Sequence, residues 1–431
     1  MPNRLGERAR TSSGTARPSR LSRRLGTADA VIIGLGAMIG AGVFAAIGPA
    51  ARAAGAGMLI GLAIAAFVAY CNATSSAELA SLYPESGGTY VYGGKRLGAF
   101  WGFVAGWGFI IGKLASCAAM ALTFGYYAAP SLARPLAVAA VVSLTAVNYF
   151  GVSKTALLTR VIVAIVLAAL AVVVVATLFG GRSELGHLQP LFDGGIYGIL
   201  QAAGLLFFAF AGYARIATLG EEVRDPAHTI PRAIPLALAI ALGVYAAVAV
   251  SALLAAGAPA LAQSSAPLVA AIESGRWAAA SPVVRIGATV ASLGVLLSLL
   301  AGVSRTAFAM ASNRDLPGFL DAVHPRYRVP HRAELIAGAI VAAIAALADL
   351  RDAIGFSSFA VLTYYAVANA CAVTLAPDER KWPRWLAVCG VAGCALLAFS
   401  LPVASALGGA VLLLAGAAAF ALRRRLRGRA P

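Results

Sequence analysis

The chain has 431 residues, of which 60% are hydrophobic and only 12% charged. A soluble domain carries about a quarter charged residues, so a large soluble core is excluded, and the apolar stretches that recur from end to end indicate a polytopic helical membrane protein. The net charge of +17 does not argue for nucleic acid, because arginine lies mainly in the tails and short loops, where it reports orientation.

Residues 1–27 hold Arg4, Arg8, Arg10, Arg17, Arg20, Arg23 and Arg24 among Ser, Thr, Pro and Gly. This stretch is expected to be a disordered basic tail on the cytoplasmic side, not a cleavable signal peptide. A window of about 20 apolar residues then gives twelve spans, near 28–54, 56–82, 98–128, 133–150, 156–180, 195–220, 233–256, 282–312, 333–349, 354–375, 385–403 and 405–422. With the N-terminus inside, the inner loops carry Lys95 and Arg96, Lys154, Arg224 and Arg232, Arg314 through Arg332, and Arg380, Lys381 and Arg384. The outer loops carry Arg134 alone or balanced charge, and residues 423–431 form a second basic tail with Arg423, Arg424, Arg425, Arg427 and Arg429. Both termini are thus expected in the cytoplasm, which requires an even number of spans.

The first span contains Gly34, Gly36, Gly40 and Gly42 within nine residues. Two readings fit. Small residues at four-residue spacing let membrane helices approach closely. Alternatively, the glycines break the helix, which is tolerated only where backbone lines a cavity or is buried in protein. A break frees N–H groups that favour a carboxylate and carbonyls that suit an ammonium. A second stretch of this kind lies in the sixth span, where Gly204 through Arg215 mixes glycine, aromatic and small residues. Spans one and six hold matching positions in two five-helix halves, 28–182 and 194–376, of opposite orientation. Paired interrupted helices point to an inverted-repeat transporter. Residues 384–422 supply the last two spans.

Four stretches together resemble the amino acid–polyamine–organocation (APC) superfamily, specifically its bacterial amino acid permeases. They are GAMIGAGVF (36–44), YPESGGTYVYGGKRLG (83–98), FFAFAGYARIATLGEEVRDPAHTIPRAI (207–234) and SRTAFAMASNRDLPGFLDAVHPRYRVPHRAE (304–334). The resemblance covers spans one to ten and implies the LeuT-type 5+5 inverted repeat with transport by alternating access. It places the substrate carboxylate at the N–H groups of Gly40, Ala41 and Gly42. The ammonium would meet carbonyls near Met38 and Ile39 and near Phe207, Phe208 and Ala211, with Ala209 between. Phe208 resembles the family's aromatic gate, and Phe210 is a second candidate; the other reading of both is packing. Two departures stand out. The lysine that some proton-coupled relatives carry on the fifth helix aligns with Val166, and the acid that many relatives carry after the Gly-aromatic pair of helix six is Ala214.

Lys113 lies near the middle of the third span. A charge there costs at least about 2.5 kcal/mol on insertion scales, which marks it as functional. It is a candidate for proton coupling in place of the missing helix-five lysine, or for contact with substrate, against the alternative of a snorkelling lysine. Arg215, Glu221, Glu222 and Arg305 lie toward the cytoplasmic ends of spans six and eight and are candidates for an inner gate of ion pairs; Glu78 reads rather as a solvated helix end. Ser304 and Thr306 have oxygens that suit sodium, but such residues commonly bond their own backbone.

Cys71, Cys117, Cys371, Cys389 and Cys394 lie in or near apolar segments without a CxxC, and His187, His228, His324 and His331 have no metal-ligand spacing. Neither metal, cofactor nor enzyme chemistry is expected. The expected function is transport of amino acids across the cell membrane, neutral or hydrophobic ones favoured because the pocket has no acid, with protons as a possible second substrate. An exchanger or uniporter, and a membrane sensor that binds amino acid without flux, are the alternatives.

Overall fold

A computed structural model describes residues 25–85, 87–151, 156–180, 183–217 and 222–427. The described residues form sixteen α-helices and no strand beyond one isolated bridge. In chain order they are α1 (Thr27–Met38), α2 (Ala41–Ala54), α3 (Met58–Leu82), α4 (Thr89–Arg96), α5 (Ala99–Ala128), α6 (Ala133–Tyr149), α7 (Ala156–Phe179), α8 (Gly195–Phe210), α9 (Ala214–Ala217), α10 (Pro226–Gln263), α11 (Pro267–Glu273), α12 (Ser281–Ser312), α13 (His331–Leu347), α14 (Leu350–Val373), α15 (Arg384–Ser400) and α16 (Val403–Arg427). Apolar sequence leaves the backbone no partner but itself in a bilayer, and helices satisfy it.

Nine stretches among the described residues are long and apolar enough to cross a membrane. One of them, Gly42–Leu82, contains both α2 and α3, which part at Gly55, where φ is +57°. α13 and α15 have 17 residues each. Two expected boundaries shift. α10 begins at Pro226, seven residues before the seventh span was expected, because Pro226 supplies a favourable first helical position. α16 runs on through Arg423, Arg424 and Arg425, so these are the end of a helix, where cations complement the dipole, and not a tail.

α1 lies against α7 and α10, α2 against α8 and α10, and α5 against α12 and α14. The expected tail of residues 1–27 ends in structure: Leu25 pairs with Val223, donating to Glu222 O (3.1 Å) and accepting from Arg224 N–H (2.8 Å). This ties the start of α1 to the segment that enters α10. Beside it, Asp29 pairs with Arg160 of α7 at 2.5 Å. Glu78 is not a solvated helix end. It is 4% exposed and accepts the backbone N–H groups of Lys381 (2.7 Å) and Trp382 (2.6 Å), fixing the loop between α14 and α15.

Candidate functional site

The first span breaks where its glycines are densest. α1 ends at Met38; Ile39 (φ −76°, ψ 35°) and Gly40 (φ −83°, ψ −147°) leave helical geometry, and α2 starts at Ala41. No side chain caps α2, so its first N–H groups are available to an anion. The second break follows Phe210, where α8 gives way to a tight turn at Ala211–Tyr213 before α9. The two breaks touch. A Cβ added at Gly42 would lie 2.7 Å from Ala209 Cα, and one at Gly212 would lie 2.6 Å from Met38 N. Gly40 faces Val295 of α12. The glycines therefore serve close packing and helix breaking together.

Tyrosines from neighbouring helices satisfy the freed carbonyls. The Tyr245 hydroxyl of α10 lies 2.5 Å from Met38 O and 2.9 Å from Ala209 O, so its single proton is shared by both breaks. Tyr365 of α14 donates to Ala211 O at 3.2 Å, and Tyr127 of α5 to Phe44 O at 3.0 Å. Met38 and Ala211, two carbonyls expected to meet an ammonium, thus already have hydroxyl partners here. A cation entering the site would compete with these hydroxyls. Removing the hydroxyl in Tyr245→Phe leaves two buried carbonyls unpaired, which should lower stability by about 1–3 kcal/mol, read as earlier thermal unfolding in detergent. Unchanged unfolding would show that the breaks do not depend on this hydroxyl.

The three phenylalanines divide. Phe207 and Phe210 are fully buried, set edge-on to Tyr365 (5.8 Å) and Tyr245 (5.0 Å), and so serve packing. Phe208, at 9% exposure, is the one that retains accessible surface. Val166 is buried between Val163, which faces Gly36 of α1, and Ala169, which faces Gly287 of α12. This is where α7 meets both helices.

Lys113 is at mid-length of α5 and 7% exposed, with no hydrogen bond or ion pair among the described residues. It shares a heptad position with Gly106, which faces Met310 of α12, and with Tyr127, which reaches α2, and this directs it toward the centre of the bundle. Arg215 and Arg305 are exposed and lie within electrostatic reach of each other, and Arg215 is also within reach of Glu222; Glu221, like Ser86 and Lys154, lies outside the described residues. Ser304 and Thr306 hydroxyls donate to Ala301 O (3.1 Å) and Gly302 O (3.0 Å) of their own helix.

The amino acid permease family model matches residues 29–424. The chain belongs to the amino acid permease family, a part of the APC superfamily. This permease is 61% identical over 413 residues to an uncharacterized transporter of Mycobacterium tuberculosis (strain ATCC 25618 / H37Rv), covering 96% of this chain and 94% of the relative. It is 27% identical to the branched-chain amino acid permease BcaP of Bacillus subtilis, over 86% of this chain and 85% of that one. It is 28% identical to the methylthioribose transporter of the same organism, over 87% and 85%. The family and these relatives are transporters, and the permease is a multi-pass membrane transporter by its membership.

Four features of the permease escaped sequence reasoning: Tyr245, Tyr365, the Asp29–Arg160 pair and Glu334. A tyrosine in an apolar helix has the same pattern as a packing residue. Asp29 did carry a signal, an acid in the first turn of a helix facing a lone arginine on a span of uniform hydropathy.

Proposed function

We propose that this permease is a secondary active transporter of neutral or hydrophobic amino acids in the cell membrane. It would work by alternating access in a LeuT-type 5+5 repeat with twelve spans and both termini cytoplasmic. The observation that carries the reading is the contact of the two helix breaks, at Gly42 with Ala209 and Gly212 with Met38. Contact sets the uncapped start of α2 beside carbonyls of both breaks, so one zwitterion can satisfy groups of each sign. Splitting Gly42–Leu82 at Gly55 and counting α13 and α15 as spans turns nine stretches into twelve. Ala214, where many relatives have an acid, supports a neutral side chain, and so does the name of BcaP. The methylthioribose transporter is named for a substrate without the amino acid's charges, and competition with methylthioribose tests that alternative.

Coupling follows from Lys113, a centre-span cation without an ion-pair partner among the described residues. Val166 favours a second reading, exchange or uniport, since the helix-five position holds no titratable group. Uptake by proteoliposomes decides between them. An inward proton gradient should stimulate accumulation of labelled leucine, isoleucine and valine over arginine and glutamate. Uptake only against preloaded amino acid would establish the exchanger, and binding without flux the sensor.

A further inference from the structure

We infer that Glu334 is a proton-binding group that sets the inner gate of this permease. Glu334 stands in the first turn of α13 and is 2% exposed. The Asn148 amide of α6 donates to its Oε1 at 2.9 Å and uses its other hydrogen on Leu297 O at 3.2 Å. The Ser304 hydroxyl of α12 is within hydrogen-bonding reach, and the Arg305 guanidinium within electrostatic reach. Arg305 is thus within electrostatic reach of both the buried carboxyl and Arg215 of α9, which is itself within reach of Glu222.

The helices packed on α13 present few other charges to this carboxyl. α5 contributes Cys117, which feels both Lys113 and Glu334. α6 contributes Asn148 and Thr145, and α12 contributes Ser304 and Arg305. On its own helix are His331 and Arg332. Each protonation state then has partners. As a carboxylate, Glu334 accepts from Asn148 and balances Arg305, and the Ser304 hydroxyl reaches it only by turning from Ala301 O. As an acid, it keeps Asn148 on its carbonyl oxygen and donates its O–H to Ser304 Oγ. The proton arrives from the cytoplasmic side past the exposed Arg305 and leaves the same way; only an O–H bond is made or broken.

The difference between the two states falls on Arg305. Protonation removes the negative charge behind it, and two arginines within reach of each other repel. α9 carries one of them and follows the second helix break, so repulsion parts α9 from α12 and opens the cytoplasmic side. Cytoplasmic acid therefore opens the gate. The flux consequence rests on the transport reading above; proton binding at Glu334 does not.

Infrared difference spectra of the purified protein between about pH 4 and 8 test the site directly. A protonated-carboxyl band that grows as pH falls and is absent in Glu334→Gln is expected; spectra that do not differ between the two proteins overturn the inference. In proteoliposomes, lowering internal pH should speed amino acid exchange by the wild type about fivefold or more, the lower end of ordinary coupling between sites. Glu334→Gln, which keeps the size and the Asn148 contact, should exchange at the fast rate at every internal pH. A variant that keeps the wild-type pH response overturns the gate. Should the wild type show no exchange at all, the transport reading fails, and the infrared band alone decides for or against the proton site.

Discussion

Gly42→Leu is expected to abolish amino acid binding and uptake while the protein still inserts and purifies. The reason lies in the backbone on the other side of the contact. Even the Cβ of the new side chain would lie 2.7 Å from Ala209 Cα and 3.0 Å from Ala209 Cβ, and backbone has no rotamer with which to yield. The two breaks must separate. The N–H groups of α2 and the carbonyls at the end of α8 then no longer face one ligand. Each charge-assisted hydrogen bond lost from a zwitterion weakens binding by about 1.5–3 kcal/mol, and loss of two exceeds a hundredfold in affinity. Gly42→Ala adds only the Cβ and should retain part of the affinity. The readout is equilibrium binding of labelled leucine to purified protein alongside a monodispersity check. Wild-type affinity in a well-folded Gly42→Leu protein would place the ligand elsewhere.

Lys113→Ala is expected to remove gradient-driven accumulation and leave exchange within about threefold of the wild type, a change too small to imply lost binding energy of more than about 0.7 kcal/mol. Lys113 sits at mid-length of a buried helix, on the face that meets α12 and α2. A cation in that position is costly, so a purely structural lysine would be better replaced: the alanine protein would be as stable or more so, with accumulation intact. Accumulation that survives the substitution sinks the coupling role. The roles proposed for Lys113 and Glu334 belong to different steps. Removing Lys113 should uncouple flux from the gradient, whereas removing the charge of Glu334 should change the rate at which the inner side opens.

The helix breaks were legible because glycine is expensive in a helix and four of them in nine residues demand a reason. Whether that reason was packing or unwinding could not be read from spacing. Gly42 and Gly212 show why: the same missing Cβ allows the break and the close approach of the other break. The membrane class followed from hydropathy. The partners of the freed backbone did not, since Tyr245 and Tyr365 reach the breaks through the tertiary approach of α10 and α14. Glu78 was misread for a related reason. An acid at the end of an apolar helix has the pattern of a solvated terminus, and the N–H groups it captures at Lys381 and Trp382 lie some three hundred residues away. Glu334 drew no reading from the sequence, because an acid in the first turn of a helix is ordinary there, and only the tertiary position of Asn148 shows it as a buried, hydrogen-bonded group.

In the proposed transporter, one site built from both helix breaks holds a zwitterion. Competition at equilibrium tests it most directly: labelled leucine bound to the purified permease, challenged with unlabelled leucine, isoamylamine, 4-methylpentanoate and methylthioribose. Leucine should displace the label; the amine and the acid, each lacking one charged partner, should do so more weakly by about tenfold or more; and methylthioribose should not displace it. Equal displacement by the amine or the acid, or by methylthioribose, would contradict it.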